Sequence, residues 1–301
     1  THNSGTVLFD GTNTFGGSAY GHINPATNTF NNLTINADSK YIQPRTNGTT
    51  LTVAGDLTLT DGTLVNYGTQ TPVLTVTGDV SIADGATIGG TDTSSAMNFG
   101  SLTIASGGTF IATSDTTTIT SKRADNENAW VNAGTFTHNN GKVKFAHPSA
   151  HSYVQESNFY DLELAMGGTG VKLRCFDSSG SLMSVFNDLT ITQGIYEFNT
   201  AGDEITVHGN TYIAANGTFN DIANASGDHI FHGLITNLGE YKTSSGTNTF
   251  NGGVRNLGTF TSDDTLTIGG TGGILEGNLD DAIINVNLDP VYGNFNGTTS
   301  V

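Results

Sequence analysis

The chain has 301 residues, with 10 basic and 27 acidic side chains and a net charge of −17 at pH 7. So acidic a chain lacks the positive charge needed to neutralise a phosphate backbone or to hold an anionic membrane surface, so nucleic acid is excluded as a partner. Only 12% of residues are charged, which is too few for ordinary disorder. The 40 Gly and the abundant Thr and Asn disfavour long helices, and the single cysteine, Cys175, cannot form an intrachain disulfide.

Thr, Val, Ile and Phe alternate with small polar residues, a pattern that favours strands, and frequent Gly, Asn and Asp favour tight turns. Residues 1–37 introduce a motif that returns later. His2-Asn3-Ser4-Gly5-Thr6-Val7-Leu8-Phe9 matches His138-Asn139-Asn140-Gly141-Lys142-Val143-Lys144-Phe145, and Phe30-Asn31-Asn32-Leu33-Thr34-Ile35 matches Phe159-Tyr160-Asp161-Leu162-Glu163-Leu164.

A shorter repeat begins to show at Leu51. Leu51 recurs as Leu74, Gly55-Asp56 as Gly78-Asp79, Leu57 as Val80, and Asp61-Gly62 as Asp84-Gly85. A period of about 23 residues, with a unit too small to bury its own core, is the mark of a solenoid.

Three strand columns follow. The first runs through Leu33, Leu57, Val80, Leu102, Leu162, Leu189 and Thr211, each followed two residues later by a second apolar residue. The second runs through Leu64, Phe110, Phe136, Tyr196, Phe219, Tyr241, Phe260 and Leu275, with Ile88 filling the break at Thr87. Gly62, Gly85, Gly108, Gly134, Gly194, Gly217, Gly239 and Gly258 precede this column and suit a corner with positive φ. The third contains Leu51-Thr-Val, Leu74-Thr-Val, Thr118-Ile119-Thr120, Ile205-Thr-Val and Leu266-Thr-Ile.

The expected fold is therefore all-β, a right-handed parallel β-helix (β-solenoid) of three short strands per coil, since parallel crossovers are almost always right-handed. Residues 1–301 are expected to form one continuous solenoid. Longer loops are expected near 111–132, 146–158 and 173–186, and a less regular stretch over 277–301. The chain starts within a repeat and ends without an obvious cap, so a segment of a longer polypeptide is expected.

Candidate chemistry is sparse. Lys122, Arg123, Lys142 and Lys144 gather four of the ten basic residues beside the first long loop and are the candidate loop contacts. His147 and His151 have helical metal spacing, but Pro148 separates them and no helix is expected. His208, His229 and His232 are expected at outward or corner positions. Asp203-Glu204, Asp263-Asp264 and Asp280-Asp281 are adjacent pairs, which point to opposite faces of a strand and cannot act together. Trp130 is expected to fill core near the Ile104 position. No calcium-roll pattern is present. Thr-x-Thr segments such as Thr58-Leu-Thr60 and Thr75-Val-Thr77 suggest ice binding, but their outward partners include Ala54, Lys122, His208 and Gly269, so the ladder is not sustained. No catalytic residue, cofactor or metal is expected.

The units Leu-Thr-Ile...Gly-Gly-Thr-Phe and His-Asn-Asn-Gly-Lys-Val-Lys-Phe...Phe-Tyr-Asp-Leu resemble repetitive β-solenoid segments of phage structural and fibre proteins of marine type, and also filamentous-haemagglutinin-like adhesins. The resemblance covers most of residues 1–270 and implies a non-enzymatic structural or adhesive segment of an extracellular fibre or virion appendage. It also implies homo-oligomers, contact with host-surface glycans and no membrane insertion. The alternatives are a β-helical polysaccharide-degrading enzyme and an ice-binding solenoid.

Overall fold

A computed structural model describes residues 4–10, 20–24, 29–44, 49–65, 73–90, 94–175, 180, 182–198, 200–221, 227–243, 246–262, 265–271, 274–277, 279 and 283–289. Its regular elements are all β-strands, and among the described residues paired strands run parallel. Over the 301 residues the chain forms two compact units, Thr1–Lys144 and Phe145–Val301. Each is a β-solenoid.

In Thr1–Lys144 the inward columns follow from register. Leu33, Leu57, Val80, Leu102 and Trp130 stand in line, and so do Ile35, Leu59, Ile82 and Ile104. On the second side the line is Ile42, Leu64, Ile88, Phe110 and Phe136. On the third it is Leu51, Leu74, Met97 and Thr117, beside Phe30, Val53, Val76, Phe99 and Ile119. The third-side frame at Thr116–Ile119 is thus Thr117-Thr118-Ile119, one residue from the expected one, because Ile119 must face inward. Ile88 does replace Thr87 in the second column.

In Phe145–Val301 the first column runs Leu162, Leu189, Thr211, Ile235, Val254 and Leu275. Leu275 therefore belongs to this column and not beside Phe260. The second runs Leu173, Tyr196, Phe219, Tyr241 and Phe260. Phe219 and Tyr241 stack at 4.8 Å and 3°, Tyr241 and Phe260 at 4.6 Å and 13°. Parallel strands lie about 4.8 Å apart, so ring stacking and strand spacing coincide.

The 130-residue-scale repeat is visible in side-chain geometry. Phe9 meets Phe30 edge-on at 6.4 Å, and their sequence counterparts Phe145 and Phe159 meet edge-on at 6.4 Å. Each pair lies within its own unit.

Corners are held by Asp and Asn. Asn32 Oδ1 accepts the Asp56 N–H at 2.9 Å, and Asp56 Oδ1 accepts the Asp79 N–H at 2.9 Å. In the other unit Asp161 accepts from Asp188 at 3.0 Å, Asp188 from Asn210 at 2.7 Å, and Asn210 from Leu234 at 3.0 Å. Each side chain caps a backbone donor of the next coil that no strand partner reaches.

The glycines act in two ways. Gly62, Gly85 and Gly194 have positive φ as expected. Gly134, Gly217, Gly239 and Gly258 do not; a Cβ there would lie 2.2–2.4 Å from a carbonyl oxygen of the preceding coil. Close backbone approach, not a left-handed turn, selects glycine at those positions.

The stretches expected as loops carry strands of their own: Thr116–Ile119 and Asn128–Asn132, Ser152–Val154, and Lys172–Cys175 with Leu182–Val185. Within 277–301, Ile283–Asp289 pairs in register with Thr265–Thr271.

The lumen changes character along Phe145–Val301. The column Val154, Cys175, Phe198 continues as Asp221, Thr243 and Ser262. These polar residues are buried and paired. His229 Nε2 lies 3.1 Å from Asp221 Oδ2, Thr243 Oγ1 lies 2.8 Å from Ser262 Oγ, and Asn237 donates to Asn256 Oδ1 at 2.8 Å. The partners in the last two pairs are 19 residues apart, against 22–27 for the corner contacts earlier in the unit. The later coils of the unit are thus shorter, and small side chains bonded to one another fill them.

The corner ladder makes a direct prediction. Asp56→Asn keeps the acceptor, whereas Asp56→Ala leaves the exposed Asp79 N–H to water and costs about 0.5–1.5 kcal/mol locally. Amide exchange should show faster exchange around Asp79 in Asp56→Ala and not in Asp56→Asn.

Candidate functional site

The expected loop cations are engaged at home. Lys122 Nζ lies 2.5 Å from Glu127 Oε1, and Arg123 bonds both Asp125 oxygens at 3.1 and 3.2 Å. The Arg123 hydrogen bond holds the Asp125 carboxyl below its usual range. Lys142 and Lys144 lie on the strand Lys142–Phe145, half-buried, and not in the loop. The structure therefore divides this set into two loop residues and two strand residues.

The histidines are also placed by backbone bonds. His138 Nδ1 accepts from the Asn140 N–H, His147 Nδ1 from the Ser149 and Ala150 N–H groups, and His151 Nδ1 from the Lys172 N–H. Burial pushes His138 down from its ordinary pKa. His208 and His232 face outward as expected, stacked at 5.0 Å. His229 corrects the expectation: it is fully buried, with Nδ1 accepting the Ile205 N–H at 3.3 Å and Nε2 on Asp221. An imidazole that accepts at Nδ1 carries its proton at Nε2, so it donates to the Asp221 carboxylate. Among the described residues no group of three or more His, Cys, Asp or Glu is arranged to hold a metal ion.

Trp130 is buried and fills core, opposite Leu102 and not at the Ile104 position, with its ring edge-on to Phe136 at 4.9 Å. Asp203 is buried and accepts the Thr200 N–H at 2.8 Å, closing a turn, while Glu204 points outward from the following strand. Asp263, Asp264, Asp280 and Asp281 lie outside the described residues. Threonines do form outward columns, such as Thr63, Thr87, Thr109 and Thr135, but they are one residue wide. Thr75 of the Thr75-Val-Thr77 segment is followed by Asn98.

Two features of Phe145–Val301 went unrecognised in the sequence. The first is a network on the outward side of the Tyr196 sheet, where Tyr153, Arg174, Glu197, Asn220 and Lys242 stand in register. Glu197, 3% exposed, accepts from Lys172 Nζ, from Arg174 Nε at 2.7 Å and from Asn220 Nδ2 at 3.2 Å. Burial pushes the Glu197 carboxyl up, but the hydrogen bonds from Lys172 and Arg174 outweigh it and hold it below the ordinary carboxylate range. Arg174 also sits over the Tyr153 ring, 5.8 Å from its centre. Only the coil register brings these residues together, since each is 21–25 positions from the next.

The second is an open groove along the corner at Gly217, Gly239 and Gly258, walled by Leu238, Thr218, Glu240 and Thr259, with Thr169 and Asn216 at its rim. The glycines leave the floor flat. Thr218 Oγ1 reaches Glu240 Oε2 at 3.4 Å, and Glu240 pairs with Lys242 at 2.5 Å. The side chains of Thr169, Asn216 and Thr259 make no hydrogen bond among the described residues, so they are available to a ligand. The groove can bind hydroxyl groups. Glu197, on the neighbouring strand face, is buried and takes three donors, which suits it to holding the network together.

No family model, curated protein or solved structure matches the chain.

The Glu197 network predicts a pH dependence. A carboxyl with a depressed folded-state pKa stabilises the fold above its unfolded pKa, and loses that contribution as pH falls through the folded pKa. Wild type should therefore melt higher than Glu197→Gln at neutral pH, and the gap should close on acidification below the ordinary carboxylate range. Thermal melts of both proteins across pH check this.

Proposed function

We propose that the chain is a non-enzymatic structural and adhesive segment of an extracellular fibre or virion appendage, a stiff spacer that touches host-surface glycans. The observation that carries this reading is the register itself. In each unit, inward columns run from coil to coil, and the outward side chains between them are held at fixed spacing by the same ladder. Such a scaffold resists bending because each coil bonds its neighbours all along its strands. The resemblance to fibre and adhesin repeats points the same way.

The groove at Gly217, Gly239 and Gly258 is the glycan contact. Along the stack its wall reads Thr218, Glu240 and Thr259 in register, with Asn216 beside Thr218, so polar groups face the groove from three successive coils, which suits an extended sugar chain lying along the stack. Its one carboxylate, Glu240, is already paired with Lys242. Binding without cleavage is what this chemistry supports, because glycoside hydrolysis requires two carboxyl groups facing one bond.

The test combines a glycan-binding screen with an assay for new reducing ends. The expected result is weak binding to neutral polysaccharide, reduced several-fold by the double variant Asn216→Ala with Thr259→Ala, with no chain cleavage. Release of reducing ends that is lost on Glu240→Gln would replace this reading with the polysaccharide-degrading enzyme.

A further inference from the structure

We propose that the groove at Gly217, Gly239 and Gly258 is closed at one end and receives the terminal ring of a neutral glycan chain, not a ring from its middle. This inference rests on the glycan reading of the groove. It follows from how many residues each coil places at that corner.

The corner joins two strands that stay in register from coil to coil. Leu164, Ile191, Ile213, Asn237 and Asn256 stand in line on the first. Lys172, Ile195, Thr218, Glu240 and Thr259 stand in line on the second. Between these anchors the chain runs through residues 165–171, then 192–194, then 214–217, and finally through only 238–239 and 257–258. The ladder fixes both anchors, so the extra residues of the earlier coils bulge outward. Ala215 and Asn216 are accordingly exposed. Thr169 is exposed too, and it lines the same groove from two coils away, so its loop overhangs the coil between.

The wide corners therefore form a shoulder, and the narrow ones form a notch beside it. A Cβ at Gly239 would lie 2.2 Å from the Gly217 carbonyl oxygen, and one at Gly258 would lie 2.2 Å from that of Gly239, so the floor of the notch admits no side chain. From the shoulder the notch runs along two coils, about 10 Å at the strand spacing. Its walls differ. One carries Glu240 and Thr259. The other carries Leu238, whose N–H donates to the Ile213 oxygen at 2.8 Å, and one coil further Leu257, whose N–H donates to the Asn237 oxygen at 2.8 Å. Leu257 is 60% exposed.

A sugar ring matches these unlike walls, because its C–H groups can lie on the leucines while its hydroxyls face Glu240 and Thr259. The shoulder decides which ring enters. At the closed end stand the Thr169 hydroxyl and the Asn216 amide, which make no hydrogen bond among the described residues. A terminal ring offers them a free hydroxyl that can both donate and accept. An internal ring offers a linkage there instead, and drives its neighbour into Ala215 and Asn216. Charge narrows the class further. Glu240 lines the notch, its cation Lys242 is already paired with it, and the whole chain carries −17, so acidic sugars are repelled and neutral ones are not.

Binding of the full chain to neutral glucans, mannans and galactans, each compared at equal mass with its own hydrolysed oligosaccharides, tests the proposal. For a polymer that binds, the expected number of sites per gram rises with the number of chain ends. Thr169→Ala and Asn216→Ala should each weaken oligosaccharide binding by about three- to tenfold. Deleting Ala215 and Asn216 leaves a two-residue corner like those of the later coils. With circular dichroism confirming the fold, that variant should still bind polymer and lose its preference for ends. Sites per gram that do not rise on hydrolysis overturn the inference and leave the glycan reading standing. So does a folded deletion variant that still prefers ends, or tighter binding of polygalacturonate than of every neutral polymer. If no polysaccharide binds, the glycan reading falls and this inference with it.

Discussion

A coil of about 23 residues has no interior of its own. Leu57 is buried only because Leu33 and Val80 lie above and below it, and the same holds for Tyr241 between Phe219 and Phe260. Every backbone donor and acceptor along these strands likewise depends on the coils on either side. The rest of the structure answers to this mutual burial. Rings must be stackable at the strand spacing, corners must be narrow enough for glycine alone, and acceptors must be supplied where the strand ladder lapses.

The acidity of the chain has a structural component. Asp56, Asp161 and Asp188 are corner acceptors for backbone N–H groups of the next coil, as Asn32 and Asn210 are. Carboxylates gathered at corners leave the strand faces free to differ. In Phe145–Val301 two faces use the remaining charges in ion pairs, and the third carries threonine, histidine and exposed apolar groups.

Period and strand frame were legible in the sequence because strict alternation and a fixed repeat constrain each other. The columns through Leu57 and Phe219 follow directly, and so does the replacement of Thr87 by Ile88. Trp130 was readable as core, but its partner was off by two residues because the excursion before Asn128 hides the count. Leu275 was misassigned for a similar reason: shortened coils shift the phase, and an apolar residue two places after a glycine pair suits either column. The buried polar run of Asp221, His229, Asn237 and Asn248 was unreadable, since each residue type ordinarily faces water. The Glu197 network and the groove were equally hidden, because their members are a full coil apart. His229 in particular could be identified as inward only once Asp221 and the Ile205 N–H were seen to satisfy both ring nitrogens.

The central claim is the coil register, and paired cysteines test it most directly. Thr58 and Ser81 are register partners on an outward face, about 4.8 Å apart by strand spacing, within disulfide reach. Thr58 and Ala83 are displaced by two residues, about 8 Å, which is beyond that reach. Cys175 is buried and its thiol pKa is pushed up, so it does not compete. Mild oxidation followed by peptide mapping should give an intramolecular crosslink in Thr58→Cys with Ser81→Cys and none in Thr58→Cys with Ala83→Cys. A crosslink in the displaced pair and none in the register pair would contradict the stacking on which the whole account rests.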